Sequence, residues 1–347
     1  MATGPEIVPV LAPVIAPIIA PIIAPIIAPI IAVDAMGGDN APHEIVSGAL
    51  AAAKKQVSIK LFGPRMVLKK LLSEYDVGWE QYPIIVCDAP ESIGMGENPV
   101  TAVQSKAQSS LVQAVMCVKN GHATAVLSAG SSGALYAASM LILGRSSHGR
   151  PGIIGFLPAK KERVLALDLG ANVDCRAQHL YEFAYMAHDF ALNELKMQSP
   201  RIGLLSNGQE DGKGSRLTKE AFVLLKSGTG INFVGNVEPV AIFNNHVDIV
   251  ITDGFSGNIL LKTMETIYTL FSDLLIQRSL QCENLDINSW CKKFLLECSQ
   301  VSDSKKQGGA LLLGVNGRVI VCHGNSDAYA IEQAIMLAAH GNLALFS

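Results

Sequence analysis

The feature that most constrains the fold of this chain is a repeated order of elements: a short apolar run, a loop that contains glycine, and a helical stretch. Runs with the character of strands occupy residues 30–33, 57–62, 84–86, 123–127, 164–167, 201–205 and 247–252. Stretches with helical character occupy residues 44–55, 100–119, 133–143, 178–195, 217–226, 257–280 and 328–339. Strands that alternate with helices form a mostly parallel sheet with helices on both faces. The sequence therefore predicts an α/β domain with three layers, α/β/α.

Two segments depart from this alternation. Residues 310–324, which read ALLLGVNGRVIVCHG, are predicted to form a buried hairpin with Asn316-Gly317 as its turn. Residues 279–306 are the most polar helical region and have weak periodicity, so we predict an insert or an interaction arm there. No linker divides the chain between residues 30 and 347, which predicts a single domain over that range.

The first 29 residues contain a low-complexity repeat of Ala-Pro-Ile-Ile, with a proline at every fourth position from Pro9 to Pro29. Each interior proline removes a helix hydrogen bond, and lipid does not satisfy the freed carbonyl groups, so a transmembrane helix is disfavoured. A strand that ran from residue 7 to residue 33 would be about 90 Å long, far beyond an ordinary sheet. We therefore predict an extended, polyproline-like or disordered extension over residues 1–29.

Charge and cysteine content narrow the functional classes. A net charge of −3 argues against a nucleic-acid partner. The seven cysteines form no Cys-x-x-Cys pair, and no basic segment precedes the N-terminal apolar run. We therefore predict a cytoplasmic protein with reduced thiols and without a secretory signal.

Loops that contain glycine follow the predicted strands and are the candidate anion sites. Such loops expose backbone N–H groups at helix N-termini, and ligands of open parallel sheets gather at the carboxyl ends of strands. The best candidate is the loop at residues 128–134, and two others lie at residues 210–215 and 253–258. The candidate phosphate-binding residues are Ser128, Gly130, Ser131, Ser132 and Gly133. The sequence has neither a Walker A motif nor a complete dinucleotide fingerprint, and a simple tight turn is the alternative for any single loop.

Four aspartates end predicted strands or lie in the loops that follow: Asp34, Asp39, Asp168 and Asp253. An aspartate at such a position often caps a helix or forms a turn, so we assign these residues a structural role. No spacing of histidine or carboxylate residues supports a metal cluster, and no metal is expected. Among the histidines we single out His323, which precedes Gly-Asn-Ser-Asp just beyond the predicted hairpin.

Six blocks occur in one order along the chain: AVDAMGGDNAP, LSAGSSGAL, LALDLGANVDC, GNVEPVAIF, VDIVITDGFSGNILLKTMET and GVNGRVIVCHGNSDAYAI. Together they resemble the PlsX-type phosphate acyltransferases, from residue 30 to about residue 339. The resemblance implies transfer of a fatty acyl group from acyl carrier protein to inorganic phosphate. The product, acyl phosphate, would serve a glycerol-3-phosphate acyltransferase in phospholipid synthesis.

The same resemblance implies a fold related to the phosphotransacetylases and the isocitrate dehydrogenases. It also implies a homodimer in the cytoplasm, with peripheral association with the inner face of the cell membrane. We expect no cofactor.

The chain departs from the family pattern at three places. Ser131 and Ser132 replace an Asn-Thr pair, which keeps hydroxyl groups in the loop. Ser206 stands where the family usually has asparagine, and only Lys106 remains of a basic run that normally precedes Ser109-Ser110. We therefore expect the acidic carrier protein to contact basic residues in or near the polar helical region: Arg278, Lys292, Lys293, Lys305 and Lys306.

The implied chemistry assigns roles to named side chains. Phosphate dianion is itself a nucleophile, so the site has to hold it against the thioester carbonyl and stabilise the tetrahedral oxyanion. The predicted catalytic residues are Lys213 and Lys262 as positive charges, Asn172 and Asn258 as hydrogen-bond donors, and His323 as a group that assists the departing thiolate. Two alternatives stay open: a short-chain phosphotransacylase that uses acyl-CoA, and a membrane-docking scaffold with weakened catalysis.

Overall fold

The computed structural model describes residues 29–147, 149–280, 290–291, 293–295 and 308–340. Apart from Pro29, the predicted N-terminal extension lies outside these residues, and so does most of the polar segment at 279–306. Over the described ranges, no helix is both long enough and apolar enough to cross a bilayer.

The described strands form one 11-stranded sheet. In chain order they are β1 Ile30–Asp34, β2 Ser58–Gly63, β3 Ile84–Asp88, β4 Ala125–Ser128, β5 Gly152–Leu157, β6 Val164–Leu167, β7 Arg201–Leu205, β8 Asn232–Val237, β9 Ile249–Ile251, β10 Ala310–Leu313 and β11 Arg318–Val321. Their order across the sheet is β3-β2-β1-β4-β11-β10-β5-β6-β9-β7-β8. The pairs β5–β6, β5–β10 and β10–β11 are antiparallel, and the other neighbours are parallel. The mostly parallel sheet and the hairpin β10–β11 are thus confirmed.

The α-helices whose bounds fall within the described residues are α1 His43–Lys54, α2 Arg65–Tyr75, α3 Pro99–Ser105, α4 Ser110–Lys119, α5 Ser132–Ala138, α6 Ala177–Asn193, α7 Arg216–Ser227, α8 Pro239–Phe243, α9 Gly254–Leu280 and α10 Ala328–His340. A 3₁₀ turn at Trp79–Gln81 precedes β3, and a π-helical turn at Ser139–Leu143 extends α5.

The helices cover both faces of the sheet, which confirms the three layers. Because side chains alternate along a strand, Ile31 and Val33 of β1 face one side and Ala32 faces the other. Ile31 and Val33 share a buried cluster with α1, α2, α6, α7 and α10. Ala32 belongs to a second cluster with α3, α4 and α5, and a third cluster joins β6 and β9 to α8 and α9. Burial of each large aliphatic side chain stabilises the fold by about 1.5–3 kcal/mol.

The single helix predicted at residues 100–119 is wrong, because two separate caps divide it. Asn98 accepts a hydrogen bond from the Thr101 backbone N–H and starts α3, and Ser109 accepts one from the Val112 N–H and starts α4. Between them, the Lys106 ammonium donates to the Ser92 carbonyl and to Glu97. The interruption is therefore held by polar contacts of the intervening turn.

Four elements were absent from the sequence-based prediction: β5, β8, α2 and the five-residue helix α8. The two strands contain glycine, with the sequences GIIGFL and NFVGNV, which weakens their strand pattern. Helix α2 buries only Leu68, Leu71 and Leu72, and its other apolar residues, Met66 and Val67, are exposed, so its buried stripe is narrow.

The two halves of the sheet meet at β5 and β10. Leu167 of β6 pairs with Ile154 of β5, Ile154 pairs with Leu311 of β10, and Leu311 pairs with Ile320 of β11. Strands β6 and β11 run in opposite directions, and both end close to this row of four residues. The loops that follow them therefore start from neighbouring points in the middle of the sheet, where α9 packs on β5 and β6.

Candidate active site

A cavity of about 230 Å³ lies where these loops meet the first turns of α9. Five of the residues predicted for the site line it: Gly130, Ser132, Asn258, Lys262 and His323. Its apolar wall is formed by Ile153, Phe156, Leu169, Leu261 and Met264. The cavity therefore combines a polar wall with donor groups and a wall that accepts hydrocarbon.

Asp34, at the end of β1, holds the loop after β4 through a hydrogen bond with Ser128. The Ser128 hydroxyl donates to Oδ2 of Asp34 over 2.7 Å and accepts from the Gly130 backbone N–H over 3.0 Å. A Cβ atom at Gly37 would lie only 2.5 Å from Oδ2 of Asp34, so glycine is required for this close approach. Ser128 is 1% exposed, and its hydroxyl is used inside the protein. Ser128 and Asp34 therefore shape the candidate phosphate loop, and the backbone of this loop lines the cavity at Gly130.

The next part of this loop starts α5. Ser131 caps the helix by accepting a hydrogen bond of 3.3 Å from the Ala134 N–H. Ser132 is exposed and lines the cavity, whereas Gly133 is exposed and packs towards Pro99. Of the predicted phosphate-binding residues, Gly130 and Ser132 therefore face the cavity, and the others support them.

Asp168 organises the loop after β6. Its Oδ1 accepts from the backbone N–H groups of Ile153, Gly170 and Ala171 at 3.0–3.1 Å. Its Oδ2 accepts from the backbone N–H of Asn172 at 2.7 Å and from the Asn172 side chain at 2.8 Å. The carboxylate is completely buried by these contacts. It presents Gly170 to the cavity and has no free acceptor position for a ligand.

Asn172 lies behind this wall, outside the lining of the cavity. Its amide donates to the Pro151 carbonyl over 2.7 Å and to Asp168, so both amide hydrogens are already used. Its Oδ1 accepts from Nε of Arg150 and lies 3.5 Å from the Tyr136 hydroxyl. In this geometry Asn172 supports the loop, and Asn258 is the asparagine that meets the cavity.

The start of α9 is fixed by Asp253 and by a close approach at Gly257. Asp253 accepts from the Ser256 backbone N–H over 2.8 Å and from the Ser256 hydroxyl over 2.9 Å. A Cβ atom at Gly257 would fall within 2.0 Å of the Asp168 carbonyl oxygen, so only glycine permits this packing. The contact brings Asn258 and Lys262 onto the cavity.

Lys262 and His323 meet at the cavity together with Glu265, which sequence reasoning did not identify. The Lys262 ammonium lies 2.9 Å from Oε2 of Glu265 and 3.5 Å from Nδ1 of His323. Nε2 of His323 lies 3.5 Å from Oε1 of Glu265. Burial and the Lys262 charge lower the pKa of His323, while Glu265 acts in the opposite direction. The one signal in the sequence was the spacing of three residues between Lys262 and Glu265, which places both on one helix face.

Cys322 also lines the cavity and is 5% exposed. Burial raises the pKa of its thiol to about 12. Because the thiolate is the nucleophilic form of cysteine, Cys322 is protonated and weakly reactive near neutral pH. This favours direct attack by a second substrate over an acyl-cysteine intermediate.

Two other predicted residues lie elsewhere. Lys213 is exposed on the loop between β7 and α7 and is absent from the described lining of the cavity. Asp39 is exposed, and its backbone N–H donates to the Gly324 carbonyl over 2.7 Å. Asp39 therefore ties the loop after β1 to the loop that carries His323.

Comparisons with known proteins agree with this architecture. Residues 30–342 match the family model described as "Fatty acid synthesis protein". A phosphate acyltransferase of Salinibacter ruber is 44% identical over 310 residues, which cover 88% of this chain and 91% of the relative. A phosphate acyltransferase of Desulforamulus reducens is 43% identical over 309 residues, which cover 88% of this chain and 92% of that relative.

A phosphotransacetylase structure from Streptococcus pyogenes has the same fold. It superposes with a TM-score of 0.60 at 19% identity and covers 90% of this chain and 94% of that chain. At this identity the likeness shows the fold alone, and it confirms the predicted similarity in fold to the phosphotransacetylases.

Proposed function

Because this chain belongs to the phosphate acyltransferase family of acyltransferases, we propose that it transfers a fatty acyl group from acyl-acyl carrier protein to inorganic phosphate. The product would be an acyl phosphate that enters phospholipid synthesis through a glycerol-3-phosphate acyltransferase. The observation that carries this proposal is the cavity, where a lysine, an asparagine and a glycine loop face an apolar wall.

The two walls fit the two reactants. Phosphate requires N–H donors and positive charge, which Gly130, Ser132 and Lys262 provide. A fatty acyl chain requires hydrocarbon surface, which Phe156 and Leu261 provide among others. The amide of Asn258 has no hydrogen-bond partner within the described part of the chain, so it is available to a ligand.

The proposed reaction is a direct displacement. A phosphate oxygen attacks the thioester carbonyl carbon, and the carbonyl electrons move to the oxygen to give a tetrahedral oxyanion. Lys262 and Asn258 stabilise that charge, while the loop at Gly130 and Ser132 holds the phosphate. The carbon–sulfur bond then breaks, and the thiolate of the carrier leaves with the electron pair. Neutral His323 lies at the same wall and orients Lys262.

The alternatives predict different donors. A short-chain phosphotransacylase would use acyl-CoA, and a scaffold would show no turnover. The deciding experiment measures free thiol released from palmitoyl carrier protein, palmitoyl-CoA and acetyl-CoA, each with and without inorganic phosphate. We expect phosphate-dependent release from the carrier protein. Preference for acetyl-CoA, or no release from any donor, would contradict the proposal.

A homodimer is part of the proposal and has a candidate interface on α9. Ile267, Leu270, Phe271 and Leu274 follow helical spacing on one face and are 46–61% exposed. A second copy of the chain would bury this apolar stripe. Light scattering should give the mass of a dimer, and Leu270→Glu with Leu274→Glu should give a monomer. A monomeric parent protein would contradict the homodimer.

Peripheral association with the inner face of the cell membrane is also proposed, with the N-terminal repeat as the docking segment. The repeat lies outside the described residues, so its apolar composition is the support. Flotation with liposomes should fall when residues 1–28 are removed. Unchanged flotation would reject the repeat as the docking segment.

A further inference from the structure

Glu265 occupies a central position among the charged groups of the cavity. Its Oε2 accepts from Lys262 over 2.9 Å, and its Oε1 lies 3.5 Å from Nε2 of His323. Oε1 is buried from solvent and has no hydrogen bond of normal geometry in the described structure. Lys262 in turn lies 3.5 Å from Nδ1 of His323. The three side chains therefore form a closed triangle on the cavity wall.

The direction of each contact follows from the hydrogens that each group carries. An ammonium group has three donors and no acceptor. Lys262 therefore requires an unprotonated Nδ1 on His323, and the hydrogen of the neutral ring is on Nε2. That nitrogen lies 3.5 Å from Oε1 of Glu265, an electrostatic contact longer than a normal hydrogen bond. Two of the three Lys262 hydrogens are used in the triangle, which leaves one for a ligand.

We propose that Glu265 is a positioning residue: its two oxygens hold Lys262 and His323 as one unit and fix the ring tautomer that leaves one lysine hydrogen directed to the anionic reactant. The identity of that reactant as phosphate rests on the proposed function. The triangle itself rests on the three distances. Glu265 acts through Lys262 and His323 and needs no contact with substrate.

The surrounding charges are compatible with a neutral ring. Lys262 and Glu265 face His323 from α9, and Asp39 faces the adjacent Gly324 from the loop after β1. Removal of the Glu265 charge would lower the pKa of His323 further, because Glu265 is the group that raises it. If activity requires the neutral ring, the acidic limb of the pH–rate profile should move to lower pH.

Glu265→Gln tests the proposal with little change of shape. The glutamine oxygen still accepts from Lys262, but its NH₂ group then faces the Nε2 hydrogen of His323. We expect kcat to fall about 10–100-fold, by analogy with the loss of a residue that orients a metal ligand, with little change in KM for the acyl donor. Glu265→Asp should recover part of the loss, because it restores the charge at shorter reach.

Glu220→Gln is the matched control, because Glu220 pairs with Arg216 on the surface of α7 at 2.8 Å. It removes a helix carboxylate from an ion pair away from the cavity and should leave kcat as in the parent. The thermal unfolding midpoints of all three variants show whether the fold is kept.

A second readout does not depend on turnover. Nitrogen-15 NMR of the imidazole groups distinguishes the two ring tautomers, and His323→Asn identifies the signal of His323. We expect the Nε2–H tautomer in the parent and a gain of the Nδ1–H tautomer in Glu265→Gln. An unchanged tautomer, or an unchanged kcat in a folded variant, would overturn the positioning role. If the parent shows no phosphate-dependent turnover, the proposed function fails while the ring measurement still decides the role of Glu265.

Discussion

The hydroxyl group of Ser128 donates a hydrogen bond of 2.7 Å to Oδ2 of Asp34, and the two residues are 94 positions apart in the chain. Both are buried, at 1% and 3% exposure. The contact joins the ends of two parallel strands, β1 and β4, directly beneath the candidate phosphate loop. The shape of that loop therefore depends on a buried carboxyl group.

The titration of Asp34 should make stability depend on pH. Burial raises the pKa of Asp34 above 3.8, although hydrogen bonds from Ser110, Ser128 and Met36 oppose this. Between the unfolded and the higher folded pKa, the folded state binds more protons than the unfolded state. The stability from this group is therefore fully present below pH 3.8 and is lost as pH rises through the folded pKa. Denaturant unfolding across this range should show the parent losing stability relative to Asp34→Asn.

Asp76→Asn provides a control in which the pH dependence of stability has the opposite sign. Lys54 lies 2.7 Å from Oδ2 of Asp76, and this hydrogen bond lowers the pKa of Asp76. The contribution of Asp76 to the stability of the fold is present above its ordinary pKa and is lost as pH falls. A parent whose stability relative to Asp34→Asn rises with pH would contradict the account of Asp34.

Lys262 should matter more to the reaction than Lys213. Lys262 lines the cavity and has one hydrogen free for the phosphate or the oxyanion, whereas Lys213 lies on an exposed loop. Loss of one preorganised contact to a developing charge typically lowers kcat about 10²–10³-fold. Steady-state kinetics of Lys262→Ala should show a fall on that scale, and Lys213→Ala should show a smaller one.

Lys262→Arg should recover little of the activity lost in Lys262→Ala, because a planar guanidinium does not replace a compact ammonium in the triangle with Glu265 and His323. An equal loss in Lys213→Ala would mean that the loop after β7 closes onto the cavity during turnover. That result would reinstate Lys213 as the predicted charge partner.

The N-terminal repeat should be dispensable for chemistry. Strand β1 begins at Ile30, pairs with β2 and β4, and buries Ile31 completely, so the pairing of β1 in the described sheet uses residues from Ile30 onward. We expect a chain that lacks those residues to keep its activity in detergent within a few-fold of the parent. A folded but inactive truncation would show that the repeat takes part in the reaction.

The carrier protein should contact basic residues in or near the polar helical region at residues 279–306. Arg278 and Lys293 are exposed, and the other predicted contacts, Lys292, Lys305 and Lys306, lie outside the described residues. Charge reversal of Arg278 and Lys293 to glutamate should raise KM for acyl carrier protein and flatten its salt dependence. Reversal of the exposed Lys69 and Lys119 changes the net charge equally and should leave KM unchanged. Equal effects of both pairs would place the docking surface elsewhere.

The sequence predicted the layers and most strands because their apolar runs and glycine loops are local signals. Strand β5 was missed because its glycines interrupt the pattern, although it joins the two halves of the sheet. The site was predicted less completely for a different reason. Glu265 meets His323, 58 positions away, only because α9 packs over β5, and the hydrogens of Asn172 are used by Asp168 and Pro151. Such pairings depend on how elements dock, which no local pattern records.

The most direct test of the proposed reaction is phosphorus-31 NMR of palmitoyl carrier protein, inorganic phosphate and the full chain. The account predicts that an acyl phosphate resonance appears at the rate at which free carrier thiol accumulates, with equal amounts of each product. It also predicts that Lys262→Ala slows both together. Thiol release at the same rate without phosphate, and without a new phosphorus resonance, would identify a thioesterase and contradict acyl transfer to phosphate.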